Sequence, residues 1–565
     1  MTNMSILVDS AWRVVRTDDR RPPMTHSSSI PMTRIAEATR RTRETGEAIP
    51  RTTIGGAVTN ACARFADRVA IEVFDRQERI TFAQFEALTH QYARALLEMG
   101  VGPGDRVAVM LPNRLAYPAL FVALARIGAI HVPVNTRYTA HEIAYVVNDA
   151  GARVLLHDTI FSKTIDGLSV ELDGPTRIVD LGTGEGEFER VVALCSTEPV
   201  SGDEVGPDSL ANIQYTSGTT GFPKGCMLTH DYWLVLANAA IAWDLEPARR
   251  ILSAQPYFYM DPQWITLKAL ITGATLVIAP GLSSSRFLGW IHDHSIEWCM
   301  FPLLMTRQQP APRDSETKLK QVATFGWPPE TCREFHKRFG VIAREGFGMT
   351  EIGLGTWTPP ELDEMYDSGS VGIAAPCRET SIRDAEGQPV ARGELGELWV
   401  RGRSIFKGYW NRPDANGEVF RSGGWFRTGD LFREDDEGFL YVVGRLKDMI
   451  RRSQENIAAR EVEAAICMLP EVEDAAAVPV PDPVRGEEVK IYVQLKNGVC
   501  RDTLPVETIL EHARKYLAKF KVPRYVSYVD SFPRTASNKI EKKTLITGVG
   551  DLRSGAYDAE EGTWR

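Results

Sequence analysis

Apolar residues Phe85, Leu88, Tyr92, Leu96 and Met99 recur every three or four positions, which predicts a helix over 81–100 with one buried face. Thr81 followed by Gln84 makes a capping-box start, and Gly100 a C-terminal stop. The period then changes. Residues 106–112 (RVAVMLP) read as a strand, 117–127 as a helix, 130–134 (IHVPV) as a strand and 139–151 as a helix opened by Thr139 and Glu142. Residues 153–158 (RVLLHD) close the series as another strand. Strands alternating with helices predict βαβ units and a largely parallel sheet.

From about Gly369 the pattern shortens into alternating runs such as Gly396–Gly402 and Gly438–Gly444, separated by Gly, Asp and Asn turns, which predicts a β-rich subdomain. A compact tail follows the GRLKD segment (Gly444–Asp448). It has a helix over 459–468, strands over 475–480 and 488–495, a helix over 505–516 and a strand over 525–529. These patterns divide the chain into a polar, Arg-rich leader without order (1–48), a large N-terminal domain (49–444), a small C-terminal domain (445–547) and a tail without order (548–565).

Composition narrows the function classes. At 565 residues one core does not suffice, and a net charge of -9 argues against a broad nucleic-acid footprint. The eight cysteines have neither CxxC pairs nor zinc spacing, so they read as reduced thiols. No run approaches the roughly 18 apolar residues of a membrane span. The apolar patch Ile6–Val8 is too short for a signal-peptide core, and a cytoplasmic location is the expectation.

The most specific feature is YTSGTTGFPKG, Tyr215–Gly225, lying between a strand-like run and a helical one. Glycines let backbone N–H groups curl around an anion, while the hydroxyls and Lys224 add donors and charge. This is a phosphate-cradling composition, but it lacks the Gly-Lys-Ser/Thr ending of a Walker loop.

This loop resembles the signature of the adenylate-forming superfamily, which includes acyl-CoA synthetases, luciferase and peptide-synthetase adenylation domains. The resemblance extends over residues 50–547, because GFGMTE (Gly346–Glu351), TGD (Thr428–Asp430), GRLKD and PRTASNKI (Pro533–Ile540) match the other landmarks in order. It implies an α/β fold. The large N-terminal domain would comprise two α/β subdomains and a β-barrel-like one, bind ATP and acid, and be followed by a small mobile C-terminal α/β domain.

The resemblance also implies roles for single residues. Thr216, Ser217, Gly218, Thr219, Thr220 and Lys224 would hold the β- and γ-phosphates. Thr350 would touch the α-phosphate, and Glu351 would ligate Mg²⁺. Gly326, Gly346, Phe347 and Gly348 would line the nucleotide site, Asp430 would accept the ribose hydroxyls and Arg445 would donate nearby. Lys539 is the implied catalytic cation and Lys447 the hinge. Tyr259, Trp264, Phe325, Trp327 and Met349 fall at acid-pocket positions. ATP, Mg²⁺ and coenzyme A are the implied cofactors. The expected partners are a carboxylic acid, ATP and CoA, with no nucleic acid and with a homodimer left open.

Three positions depart from the pattern. Tyr259 replaces a frequent His, Trp327 a small residue and Gln454 a frequent glycine beside the pantetheine path. The C-terminal segments Asp448–Ile466 and Leu517–Val526 are most similar to the crotonobetaine/carnitine–CoA ligase branch. Asp261-Pro262 reads as a helix start with Asp261 as N-cap. The leading expectation is an AMP-forming acid–CoA ligase acting on a bulky, aromatic or polycyclic acid. The alternative passes the adenylate to an amine or carrier protein. A nucleotide-binding pseudoenzyme ranks last, since Lys539, Glu351 and Asp430 are all retained.

Overall fold

The structure is a computed structural model that describes residues 30–565, apart from 169–170, 183, 185, 201–203, 217–222, 453–454, 518 and 536–538. The local signals act where the pattern places them. Thr81 and Gln84 exchange side-chain and backbone hydrogen bonds at the head of the helix Phe82–Glu98. Thr139 and Glu142 do the same for Ala140–Ala150, which Gly151 ends in the left-handed conformation at φ 60°.

The chain divides into two compact units. The larger takes in residues 30–380 with Val400–Phe426, and the smaller Ser381–Trp399 with Arg427–Arg565. The larger unit holds a six-stranded sheet ordered Arg177–Leu181, Val154–Asp158, Arg106–Met110, Ile130–Pro133, Leu210–Thr216, Lys224–Thr229. Its first five strands run parallel and the last antiparallel. A nine-stranded sheet has a parallel centre, from Val69–Val73 through Arg250–Ser253 to Ala343–Met349, with antiparallel strands at both edges. A curled five-stranded sheet is made from Arg378–Arg383, Gly396–Gly402, Phe420–Arg421, Trp425–Glu434 and Leu440–Arg445.

The core of the smaller unit gathers Ile450, Val462, Ile466, Val489, Ile491, Ile509 and Val526. Its helices Ala459–Cys467 and Val506–Tyr516 pack with a sheet in which Val472–Asp482 pairs along the whole length of Gly486–Leu495. The unit also takes in residues 427–444, since Trp425–Glu434 and Leu440–Arg445 form one antiparallel pair with Asp430 opposite Arg445.

Described parts of both segments expected to lack order are ordered. Met32–Ala48 is a helix whose buried residues are Ile35, Ala38, Thr42 and Gly46. That spacing is helical, but only two of the four side chains are apolar, so no hydrophobic stripe announces it. Arg40 pairs with Glu37 and Glu44 along its exposed side. In the tail, Tyr557–Asp558 pairs with the strand Tyr525–Val529, and Thr563–Trp564 folds back upon it. Charge holds it there: Asp558 is fully buried between Arg524, at 3.1 Å, and Arg565, at 2.8 Å.

Burial pushes the Asp558 carboxyl up, but hydrogen bonds from Arg524, the Glu560 N–H and Arg565 together hold it below its ordinary value. A depressed carboxyl stabilises the fold above its unfolded pKa of about 4, and the contribution is lost as acid protonates it through the lower folded value. Asp558→Ala strands two arginines, and denaturant unfolding is expected to show a loss of about 3 kcal/mol at neutral pH. The difference from the parent protein should shrink as the pH falls below about 4.

Candidate active site

In the larger unit, Thr216 ends one strand and Lys224 opens the next, the two standing opposite each other in antiparallel register. The two strands are antiparallel neighbours, and the strand Lys224–Thr229 precedes the helix His230–Ala242 that was expected directly after the loop. Ser217, Gly218, Thr219 and Thr220 lie outside the described residues, as does Gln454.

The strand Ala343–Met349 delivers Gly346, Phe347, Gly348 and Met349 in succession, followed by Thr350 and Glu351. A Cβ on Gly348 would lie 2.6 Å from the Gly353 carbonyl oxygen, so the close return of the next strand needs glycine there. Tyr232 donates its hydroxyl to the Thr350 carbonyl at 2.8 Å, and the Phe406 N–H donates to the Glu351 carbonyl at 2.8 Å.

Glu351 is buried, and Tyr409 donates its hydroxyl to Glu351 Oε1 at 2.7 Å. The Lys224 ammonium lies 5.0 Å from the centre of the same tyrosine ring. Tyr409 thus links the lysine of the hairpin to the carboxylate of the second motif, through a cation–π contact on one side and a hydrogen bond on the other. It is held there by backbone pairing of residues 407–410 with Gly225 and Met227. Sequence reasoning missed it, although the aromatic pair Tyr409-Trp410 after a glycine was the visible signal.

No group of three or more His, Cys, Asp or Glu side chains able to hold a metal occurs among the described residues. Glu351 and Thr350 are oxygen donors, and one carboxylate completed by phosphate oxygens and water suits Mg²⁺ and not a closed all-protein cage.

Glu345 was also missed. Its buried carboxylate accepts from the Thr324 hydroxyl at 2.5 Å, the Gly326 N–H at 2.8 Å and the Trp327 N–H at 3.2 Å. It fixes the loop that carries Gly326 (φ 75°) beside the strand of Gly346. Phe325 is half-buried, with its ring 6.3 Å from Trp243. Trp327, expected at an acid-pocket position, is buried and packs edge-on against Phe301 and Phe335. Trp264 is likewise buried, edge-on to Trp298.

The helix carrying Trp264 spans Met260–Thr272, so Asp261 sits in its first turn and not at the cap, where it accepts from the Trp264 indole at 3.2 Å. There its charge still complements the helix dipole. Tyr259 occupies the cap position and is half-buried, its hydroxyl pushed up to about 12 by desolvation.

In the smaller unit, the Thr428 hydroxyl donates to the Leu398 carbonyl at 2.7 Å and accepts from the Asp430 N–H at 3.1 Å. Buried Glu397 accepts from the Gly429 N–H at 3.0 Å and from Arg427 at 2.8 Å, holding the turn at Gly429 (φ 72°). Sequence reasoning passed over Glu397 because the partners that tie it to this turn lie 30 and 32 residues away.

Arg445 donates to Asp430 Oδ1 at 3.0 Å. Asp430 Oδ2 is buried and finds no hydrogen-bond partner among the described residues. Burial pushes this carboxyl above its ordinary value, against the opposing charges of Arg445, Lys539 and Arg460. An orphan buried carboxylate oxygen is costly, and a ligand hydroxyl is the kind of donor that would satisfy it.

Lys539 is hydrogen-bonded to Thr535. Its N–H donates to the Thr535 hydroxyl at 3.2 Å, and its carbonyl accepts from the Thr535 N–H at 2.8 Å. Neighbouring Lys542 pairs with Glu463 at 2.6 Å. Lys447 falls in the short turn Leu446–Asp448.

Residues 58–410 match the family model described as "AMP-binding enzyme", and residues 461–539 match its C-terminal domain. The chain belongs to the AMP-binding enzyme family. It is an enzyme of the AMP-forming acid–CoA ligase type within it. The long-chain-fatty-acid–CoA ligase FadD13 of Mycobacterium tuberculosis is 32% identical over 480 residues, covering 83% of this chain and 92% of the relative. The crotonobetaine/carnitine–CoA ligase of Proteus mirabilis is 32% identical over 513 residues, covering 84% and 96%. Among solved structures, the o-succinylbenzoate CoA synthetase of Bacillus subtilis in complex with ATP and magnesium ion matches with a TM-score of 0.75 at 28% identity, over 86% of this chain and 98% of that one.

Two substitutions probe this AMP-binding enzyme at its separate parts. Asp430→Ala is expected to raise the KM for ATP about 10- to 100-fold, as loss of hydrogen bonds to a charged acceptor would. Tyr409→Phe keeps the ring under Lys224 but removes the donor to Glu351. Steady-state titration with magnesium should show an increase of about tenfold in the half-saturating concentration.

Proposed function

We propose that this enzyme joins a carboxylic acid to coenzyme A in two steps at the expense of ATP. A carboxylate oxygen attacks the α-phosphorus, the bond to the β-phosphate bridging oxygen breaks, and pyrophosphate leaves an acyl adenylate. The CoA thiol, losing its proton, then attacks the acyl carbon, and AMP departs with the former carboxylate oxygen.

The observation that supports this reading best is Asp430. It is a buried carboxylate with one oxygen unpartnered among the described residues, and it feels the charge of Lys539. That pairing suits a ribose-binding acceptor with a mobile cation close to the adjoining phosphate. The proposed role of Lys539 is to stabilise the charge that builds as two anions meet at the α-phosphorus, an electrostatic task. Thr216, Ser217, Gly218, Thr219, Thr220 and Lys224 hold the β- and γ-phosphates in this account. Thr350 would touch the α-phosphate and Glu351 would hold magnesium, which when bound neutralises phosphate charge. Gly326, Gly346, Phe347 and Gly348 line the adenosine side, and Arg445 orients Asp430.

The proposed hinge is Lys447, about which the following residues turn so that Lys539 serves the first step and withdraws for the second. The proposed acid is bulky or aromatic. The three relatives named above carry long-chain fatty, crotonobetaine/carnitine and o-succinylbenzoate acids in their names, so acid choice varies within the family. The residues proposed to set it are Tyr259, Phe325 and Met349, with Trp264 and Trp327 buried behind edge-on aromatic neighbours.

Pyrophosphate release from ATP and magnesium, measured across a panel of acids with and without CoA and followed by mass spectrometry, tests the reading. Acid-dependent pyrophosphate with an acyl-CoA product is expected, with bulky acids turning over faster than acetate. Accumulation of acyl-AMP alone would move the acceptor to an amine or carrier protein. Lys539→Ala should slow acid-dependent pyrophosphate release at least about 100-fold, while thioester formation from supplied acyl-AMP stays near the parent rate. An equal loss in both half-reactions would contradict the hinge.

A further inference from the structure

Arg378 is a buried cation with an unusual set of partners. Among the described residues it makes no ion pair, and its five hydrogen bonds all go to backbone carbonyl oxygens. Nε and one terminal nitrogen both donate to Ile352, at 3.0 and 2.6 Å. The other terminal nitrogen donates to Cys377 at 3.1 Å and to Arg403 at 2.5 Å, and Ser404 receives a longer contact of 3.5 Å. The nearby carboxylate, Asp231, is already taken by Arg403 and Ser404.

A buried guanidinium without a carboxylate is costly, so its position calls for an explanation beyond filling space. What it joins supplies one. Ile352 directly follows Glu351, and Arg403–Ser404 directly precede the segment of Phe406 and Tyr409. Those two segments meet again where the Phe406 N–H donates to the Glu351 carbonyl and the Tyr409 hydroxyl to the Glu351 carboxylate. Cys377 adopts φ 63°, turning its carbonyl within reach of the same guanidinium. The planar fork spans carbonyls on both sides at once, a geometry that a single ammonium cannot reproduce.

We propose that Arg378 is a positioning residue that sets the Glu351 carboxylate against Tyr409 and so tunes how the site takes up magnesium with ATP. The inference rests on the reading of Glu351 as the magnesium ligand. It concerns Arg378's action through Glu351, not contact with the nucleotide.

Arg378→Lys and Arg378→Met, made in the full chain, test it by two readouts. One is the magnesium concentration that half-saturates pyrophosphate release. The other is the extra rise in Tm that magnesium adds to ATP binding, which needs no turnover. In the parent protein magnesium should add to the stabilisation by ATP. In the variants the half-saturating magnesium is expected to rise about tenfold or more, with Met more affected than Lys, and the magnesium-dependent increment in Tm should shrink in the same order. If Arg378→Met does not fold, Arg378→Lys decides. A lowered Tm with parent-like magnesium response in both readouts would make Arg378 a structural clamp only and overturn the proposal. Absence of any magnesium response in the parent protein would instead overturn the reading of Glu351, and this inference with it.

Discussion

Two anions must meet for a carboxylate to attack ATP, and most of the polar detail in this chain follows from that constraint. In the larger unit the positive charge of Lys224 and the carboxylate of Glu351 are joined through one tyrosine, so the two charges are held in fixed relation. In the smaller unit Asp430 is kept as a buried acceptor with Arg445 bound to it and with Lys539 and Arg460 close enough to act on its charge. Preorganised charge of this kind costs little reorganisation when the reaction occurs.

That organisation depends on supporting carboxylates. Glu345 collects three donors from the Gly326 loop, and Glu397 collects the backbone at Gly429 and the side chain of Arg427. Each is buried and hydrogen-bonded, so each defines a loop geometry that glycine and threonine alone would leave loose. The same logic closes the tail, where Asp558 and its arginines replace the hydrophobic stripe that the last residues lack.

Much of this was legible in the residue order, for identifiable reasons. Helix starts at Thr81 and Thr139 are local, three-residue chemistry, and the structure realises both capping boxes. The strand–helix alternation and the five motifs in order carried the fold and the family. What escaped was long-range or apolar-poor. Tyr409, Glu345 and Glu397 act on partners 58, 21 and 32 residues away, and no spacing rule reaches that far. The helix Met32–Ala48 buries a threonine and a glycine where a predictor looks for leucines. The contacts of Trp327 with Phe301 and Phe335 are likewise ones that its motif position does not announce. Asp261 was two positions out as a cap, because the cap falls on Tyr259 and the helix begins at Met260.

The central claim is chemical: the acid is activated as a mixed anhydride with AMP. The most direct test uses an accepted acid labelled with ¹⁸O in its carboxylate, with ATP, magnesium and CoA, and mass spectrometry of AMP and pyrophosphate. The account predicts one ¹⁸O atom in AMP and none in pyrophosphate, since the attacking oxygen leaves on the α-phosphate. Unlabelled AMP, or label appearing in pyrophosphate or phosphate, would contradict it and place the activation on another phosphorus.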